Sequence, residues 1–247
     1  MEQNIIYGKN AVIEALKSGK RNFNKILISK ANRPDAKINQ IKDLASANGV
    51  PFIFTEREKF SVYNDYNHQG VVAFVSPIEY VDLDDFIATH PENSTLLMLD
   101  GVEDPHNIGA IIRTCVCAGI DGIILPSRRT ALISEITEKT SAGAINHISI
   151  IKVNSPVNAI QRLKDNNWWV IASDHHAQDN HFEIDYMNMN FVLVMGAEHS
   201  GISKSILNLS DFKIKIPMLT DFNSLNVSTA ASIIIYEYVR QKLSAKR

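Results

Sequence analysis

Residues 95–119 read TLLMLDGVEDPHNIGAIIRTCVCAG: an apolar run, a polar turn, then apolar residues at helical spacing that close on a glycine. An unbroken apolar run suits a parallel strand covered on both faces, and the turn that follows is where α/β proteins collect their binding groups. The stretch predicts a strand ending at Leu99, a turn from Asp100 to His106, Asn107 as N-cap, a helix over 108–118, and Gly119 as its stop.

The same grammar appears twice more, in FVLVMGAEHSGIS at 191–203 and FKIKIPMLTDFNSLNVSTA at 212–230. Further strand candidates are GIIL at 122–125, HISII at 147–151 and WWVIA at 168–172, separated by segments long enough for crossover helices. A helix from about Ser224 to Leu243 closes the chain with an apolar side too broad for a simple surface stripe. The region from Thr95 onward therefore reads as one parallel α/β domain. Ahead of it, GKNAVIEALKSG, KILIS, a polar helix over 35–47, PFIF and GVVAFV form a smaller α/β unit. The acidic stretch 76–94, with Pro77 and Pro91, reads as a connector with a short helix. The expected division is a first domain over 1–76, a linker over 77–94 and a second domain over 95–247.

With 247 residues and 45% hydrophobic content, the chain can bury a sizeable core. Its apolar runs are far shorter than the roughly 20 residues that span a bilayer, and the N-terminal sequence lacks an apolar signal core. A cytoplasmic protein without a membrane segment is the expectation. Cys115 and Cys117 sit at i, i+2 on a predicted helix and point to opposite sides, which excludes a disulfide scaffold and favours interior thiols. The net charge of −2 hides an uneven distribution. Residues 1–75 hold 11 Lys and Arg against 7 Asp and Glu, whereas residues 76–110 hold no base and 8 acids. Lys17, Lys20, Arg21, Lys25, Lys30, Arg33 and Lys37 either form an ordinary solvated surface or hold phosphates from one face.

Taken singly, the polar residues of the three segments have bland readings too. Asn107 is a helix cap or a pocket amide, Arg113 a surface ion pair or a pocket cation, and Ser224 and Asn226 cap the last helix or face a substrate. Gly196 and Gly201 let backbone approach a ligand around Glu198, but no GxG pair occurs, which removes the dinucleotide-binding turn. The group Asp174, His175, His176, Asp179 and His181 follows no metal-ligand spacing and reads as a polar loop, so no metal is expected. Of Trp168 and Trp169, one belongs in the core and the other at the surface.

In combination, NxGxxxR, GAExxG after a strand, and IPM followed by SLNVS, in this order, resemble the SpoU branch of the SPOUT RNA ribose 2′-O-methyltransferases. IYGKNAVIEAL and HQGVVAFV in the front region are similar to the substrate-binding domain of the bacterial 23S rRNA guanosine 2′-O-methyltransferases in that branch. The resemblance covers essentially the whole chain. It implies a SPOUT methyltransferase domain with a parallel sheet and a deep trefoil knot, preceded by a small L30e-like α/β domain. It also implies a homodimer whose active site draws on both subunits. S-adenosylmethionine is the implied cofactor, held around Met195, Gly196, Ile216, Met218 and Leu225. The implied catalytic residues are Asn107, Arg113, Glu198, Ser224 and Asn226, with Lys20, Arg21 and Lys25 gripping RNA. A guanidinium is a reluctant base at neutral pH, so Arg113 is assigned to a phosphate and to the charge at the ribose oxygen. Glu198 is expected to orient Arg113 or its own loop. His199 and Ser200, and Asp221–Asn223, depart from the family pattern near the substrate. The implied target is a guanosine in the peptidyl-transferase region of 23S rRNA. The alternatives are a tRNA ribose methyltransferase of the same branch and a non-catalytic RNA-binding relative.

Overall fold

A computed structural model describes residues 4–32, 35–63, 67–90, 92–127, 133–220 and 224–245. Arg33, Pro91 and Asp221–Asn223, named above, lie outside these described residues.

The chain forms two compact units. The first begins with β1 (Asn4–Tyr7), α1 (Lys9–Ser18), β2 (Phe23–Ser29), α2 (Ala36–Ala47), β3 (Phe52–Thr55) and β4 (Val71–Val75), with a 3-10 turn over Arg57–Tyr63. Its sheet runs β1-β4-β2-β3, in which only β2 and β3 are parallel. Local chemistry sets the helix limits. Gly19 ends α1 in the left-handed region at φ 65°, and the Asp35 carboxylate starts α2 by accepting from the Ile38 amide at 2.8 Å. Ile26, Ile28, Val71 and Ala73 pack beneath the apolar sides of α1 and α2.

The second unit continues with α3 (Leu83–Thr89), β5 (Thr95–Asp100), α4 (Pro105–Ala118) and β6 (Gly122–Pro126). The chain then gives Ile133–His147 to the first unit, including α5 (Glu135–Thr140) and a 3-10 turn over Ala144–His147. It resumes with β7 (Ser149–Val153), α6 (Pro156–Asp165), β8 (Trp168–Ser173), β9 (Asp179–Asn180), β10 (Asn190–Gly196), α7 (Lys204–Leu209), β11 (Phe212–Lys215) and α8 (Val227–Ser244). Every pairing in the β7-β6-β5-β10-β8-β11-β9 sheet is parallel, as the continuous apolar runs predict. On one face α3, α6 and α7 cover Leu96, Met98, Val170, Val192 and Val194. On the other, α8 lies over Leu97 and Leu193 and packs against α4. No described helix is long and apolar enough to cross a membrane.

Three expectations need correction. The segment 77–94 is not a linker: Val81 bridges to Ile151 in a parallel pairing, and α3 buries Leu83 and Phe86 in the second unit's core. The second domain is also not one run of sequence, because residues 133–147 pack against α1 and β1. Cys115 is buried as expected, but Cys117 is exposed, because the helix has one open side. Trp168 lies in the core and Trp169 is 46% exposed.

Candidate functional site

The helix after β5 starts earlier than its sequence first suggests. Asp104, and not Asn107, is the N-cap; its carboxylate accepts from the His106 amide at 2.9 Å, and Pro105 fills the first helical turn. Proline there loses no hydrogen bond because that N–H has no partner inside the helix. Asn107, freed from capping, lies within the first turn of α4, and its amide is available for tertiary contacts.

That amide meets the other two segments. Asn107 Nδ2 donates to Glu198 Oε1 at 3.2 Å. Asn226 Nδ2 donates both to Asn107 Oδ1 and to Glu198 Oε1, each at 2.9 Å. Residues up to 119 positions apart thus form one closed hydrogen-bonded triangle. Asn226 is also the N-cap of α8: Oδ1 accepts from Ser228 N at 2.9 Å, Ser228 Oγ at 2.5 Å and Thr229 N at 3.4 Å. Asn226 therefore starts one helix with one end of its amide and with the other ties the first turn of α4 to the Glu198 loop. The helix starts at Val227, two residues past Leu225, so Ser224 is not part of it.

Glu198 is carried by a tight reversal at the end of β10. Ala197 and Gly201 exchange backbone hydrogen bonds of 3.2 and 2.9 Å. Gly201 adopts φ 64°, and Gly196 has no room for a side chain: a Cβ there would stand 2.3 Å from the Gly201 carbonyl carbon. Asp100, at the end of neighbouring β5, accepts from Ser203 N at 2.8 Å and holds the far side of the reversal. Asp100, Asp104 and Ser228 were not assigned these roles from sequence. The Asp-Pro pair at 104–105 is a helix-start signal that identifies Asp104, whereas Asp100 and Ser228 carry no such local mark.

Arg113 lies apart from the triangle. It is six residues along α4 from Asn107, roughly 120° around the helix axis, and exposed. Among the described residues it makes no hydrogen bond or ion pair. Among the described residues Glu198 thus holds two amides and its own loop, and it makes no contact with Arg113 of the same chain. Nearby, Thr114 Oγ1 and Ser232 Oγ stand 3.1 Å apart and set the register of α4 against α8.

The residues assigned to the cofactor separate into two kinds. The Met195 side chain is buried beside β5, which leaves the backbone of β10's end as the accessible part. Along 216–225, Met218 is 40% exposed and Leu225 37%, with Leu219 fully exposed and Ile216 half-buried. Such a run of open apolar side chains after a strand end suits contact with a ligand bearing both apolar and polar surface.

Of the three RNA-gripping candidates, Lys20 is exposed and Lys25 lies 5.0 Å above the Phe74 ring. Arg21 is a correction: its guanidinium is buried against the Glu138 carboxylate at 3.3 Å, with side-chain exposures of 2% and 4%, and Nε donates to the Ser76 carbonyl at 2.8 Å. A charge so enclosed and so fully paired cannot also grip RNA. Burial raises the Glu138 carboxyl above its ordinary value while Arg21 opposes that rise.

The model of the SpoU rRNA Methylase family matches residues 94–236, and that for RNA 2′-O ribose methyltransferase substrate binding matches residues 5–81. A Staphylococcus saprophyticus protein named for the TrmH family of tRNA/rRNA methyltransferases is 40% identical over 98% of this chain and 97% of its own. The AdoMet-bound rRNA methyltransferase of Sinorhizobium meliloti superposes with a TM-score of 0.81 at 27% identity, over 98% of this chain and 88% of that one. The TrmH/SpoU tRNA modifying enzyme of A. aeolicus is similar over 66% of this chain and 86% of its own, with a TM-score of 0.57 and 30% identity.

Proposed function

From the SpoU rRNA methylase family, to which this chain belongs, we infer that it is an S-adenosylmethionine-dependent RNA ribose 2′-O-methyltransferase. The observation that carries the reading is the Asn107–Glu198–Asn226 triangle, in which the three motif segments converge.

The residues around the triangle fit the cofactor. Gly196 backbone at the strand end, with Ile216, Met218 and Leu225, would hold its adenosine and methionine parts. When bound, S-adenosylmethionine supplies a methyl group already activated on a sulfonium. The chain's own work is to orient the ribose hydroxyl in line and to stabilise the oxygen as its proton leaves. Glu198 locks the Asn107 and Asn226 amides, so the two helix starts present a fixed face. Ser224, exposed just before α8, is assigned to the target ribose. Arg113 is assigned to the nucleotide phosphate and to negative charge at the ribose oxygen.

A homodimer accounts for Arg113. A cation that has no partner among the described residues, on an open helix side, is suited to complete a second copy's site. The knotted crossing expected from the resemblance is consistent with Asn226, which follows β11 in the chain, lying beside Asn107 at the start of α4.

The finer assignment is to a cytoplasmic enzyme that methylates a guanosine in the peptidyl-transferase region of 23S rRNA. Support comes from the front unit: residues 5–81 match a substrate-binding domain, whereas the similarity to the tRNA modifying enzyme extends over only 66% of the chain. Mapping ribose methylation across ribosomal and transfer RNA in cells lacking this protein tests the assignment. Loss of one 23S rRNA guanosine mark is expected; loss of a tRNA mark alone would move the target to tRNA.

A further inference from the structure

Lys139 is an unusual cation in the first unit. It belongs to α5, inside the stretch matched by the methylase family, yet its ammonium packs among residues of the substrate-binding stretch. It donates to the Asn67 carbonyl and lies 5.1 Å over the Tyr7 ring. Among the described residues no carboxylate pairs with it, and unlike Lys20 and Lys59, which also lack such a pair but are exposed, it is half-buried. An ammonium partly withdrawn from water without a counter-ion is held at a cost that an anion would offset.

The amine borders a cavity lined by Tyr7, Gly8, Asn10, Gln69, Lys139 and Ala142, none of them acidic. Gly8 keeps this space open, since a Cβ there would stand 2.6 Å from Lys139 Nζ. Gln69 Oε1 accepts from the Lys9 amide at 3.2 Å, which leaves its NH2 group to donate elsewhere. The local field is positive: burial, then the charges of Lys139 and Arg57, hold the nearby His68 imidazole below its ordinary pKa. Next to Lys139 in sequence, the enclosed Glu138–Arg21 pair fixes α5 in place.

We propose that this cavity binds a phosphodiester group of the RNA, with Lys139 as its cation and Asn10 and Gln69 as neutral donors. The substrate-binding site is then composite, because its phosphate-binding lysine comes from the methylase stretch of the chain. The proposal rests on the reading of RNA as substrate and adds where the backbone is held.

The test uses the full chain and an in vitro transcript of a 23S rRNA hairpin, with Lys139→Gln compared against Lys59→Gln, an exposed lysine of the 3-10 turn over Arg57–Tyr63. Lys139→Gln is expected to weaken binding on the order of tenfold and to lower the slope of log Kd against log salt by about 0.7–0.9. Lys59→Gln should leave both nearly unchanged. Equal effects from the two variants, or none from Lys139→Gln, overturn the proposal. In a second arm inorganic phosphate replaces RNA, and the Gly8 and Gln69 amide resonances are followed by NMR. Saturable shifts in wild type that vanish in Lys139→Gln support an anion site; their absence in wild type overturns it. Phosphate binding with an unaltered RNA salt slope overturns the assignment to RNA, and a wild-type chain with no affinity for RNA overturns the functional reading beneath it.

Discussion

Replacing Asn226 by aspartate separates its two jobs. The cap needs only an acceptor, since Oδ1 receives Ser228 N at 2.9 Å and Thr229 N at 3.4 Å, and a carboxylate accepts equally well. A negative charge at a helix start adds about 0.3–1 kcal/mol. The triangle needs a donor, because Nδ2 feeds both Asn107 and Glu198 at 2.9 Å, and a carboxylate has none to give. It also faces Glu198, and two like charges about 4 Å apart in water repel by about 1 kcal/mol. The stability terms nearly cancel, so Asn226→Asp should melt within about 2–4 °C of wild type. The loops around the site lose their tie, and a displacement of about 1 Å there costs on the order of 100-fold in rate. Asn226→Ala removes both functions and should lose about 1 kcal/mol of stability as well. Single-turnover methyl transfer to RNA, run beside thermal melts, reads the two effects separately. Turnover of Asn226→Asp within threefold of wild type, at unchanged melting temperature, would refute the reasoning.

Arg21→Ala strands the Glu138 carboxylate in an enclosed site and should destabilise the protein by about 3–5 kcal/mol in denaturant unfolding, while the volume-matched Arg21→Met, Glu138→Met pair recovers most of that loss. Gly196→Ala forces a methyl against the Gly201–Ile202 backbone, which has no flexible side chain to yield; AdoMet affinity by calorimetry should fall about tenfold or more. Iodoacetamide on the native protein should label Cys117 and spare Cys115 until unfolding, because burial both shields the Cys115 thiol and raises its pKa. Equal labelling of the two by mass spectrometry would contradict the fold of α4.

The sheet is legible in the sequence because parallel strands covered on both faces must be apolar along their length, and 96–99, 122–125, 168–172 and 191–195 are. The site segments were legible for a related reason: their polar residues follow directly where those runs stop. What escaped was tertiary. Nothing local in EITEKT at 135–140 says that it leaves the methylase unit for the first one, since its polar pattern would serve equally as a crossover helix. Arg21 looked like one more base in a basic run because its partner Glu138 is 117 positions away. Asn107 resembles a cap for the opposite reason: asparagine suits that position, but Asp-Pro three residues earlier is the stronger start.

The most direct measurement is methyl transfer from labelled S-adenosylmethionine to ribosomal RNA by wild type and Arg113→Ala, with the product digested by alkali. The account predicts label from wild type in alkali-resistant dinucleotides, since a methylated 2′-oxygen cannot attack the adjacent phosphate. It predicts almost no label from Arg113→Ala, at unchanged AdoMet affinity by calorimetry. Label in a base, or normal transfer without the Arg113 guanidinium, would contradict it.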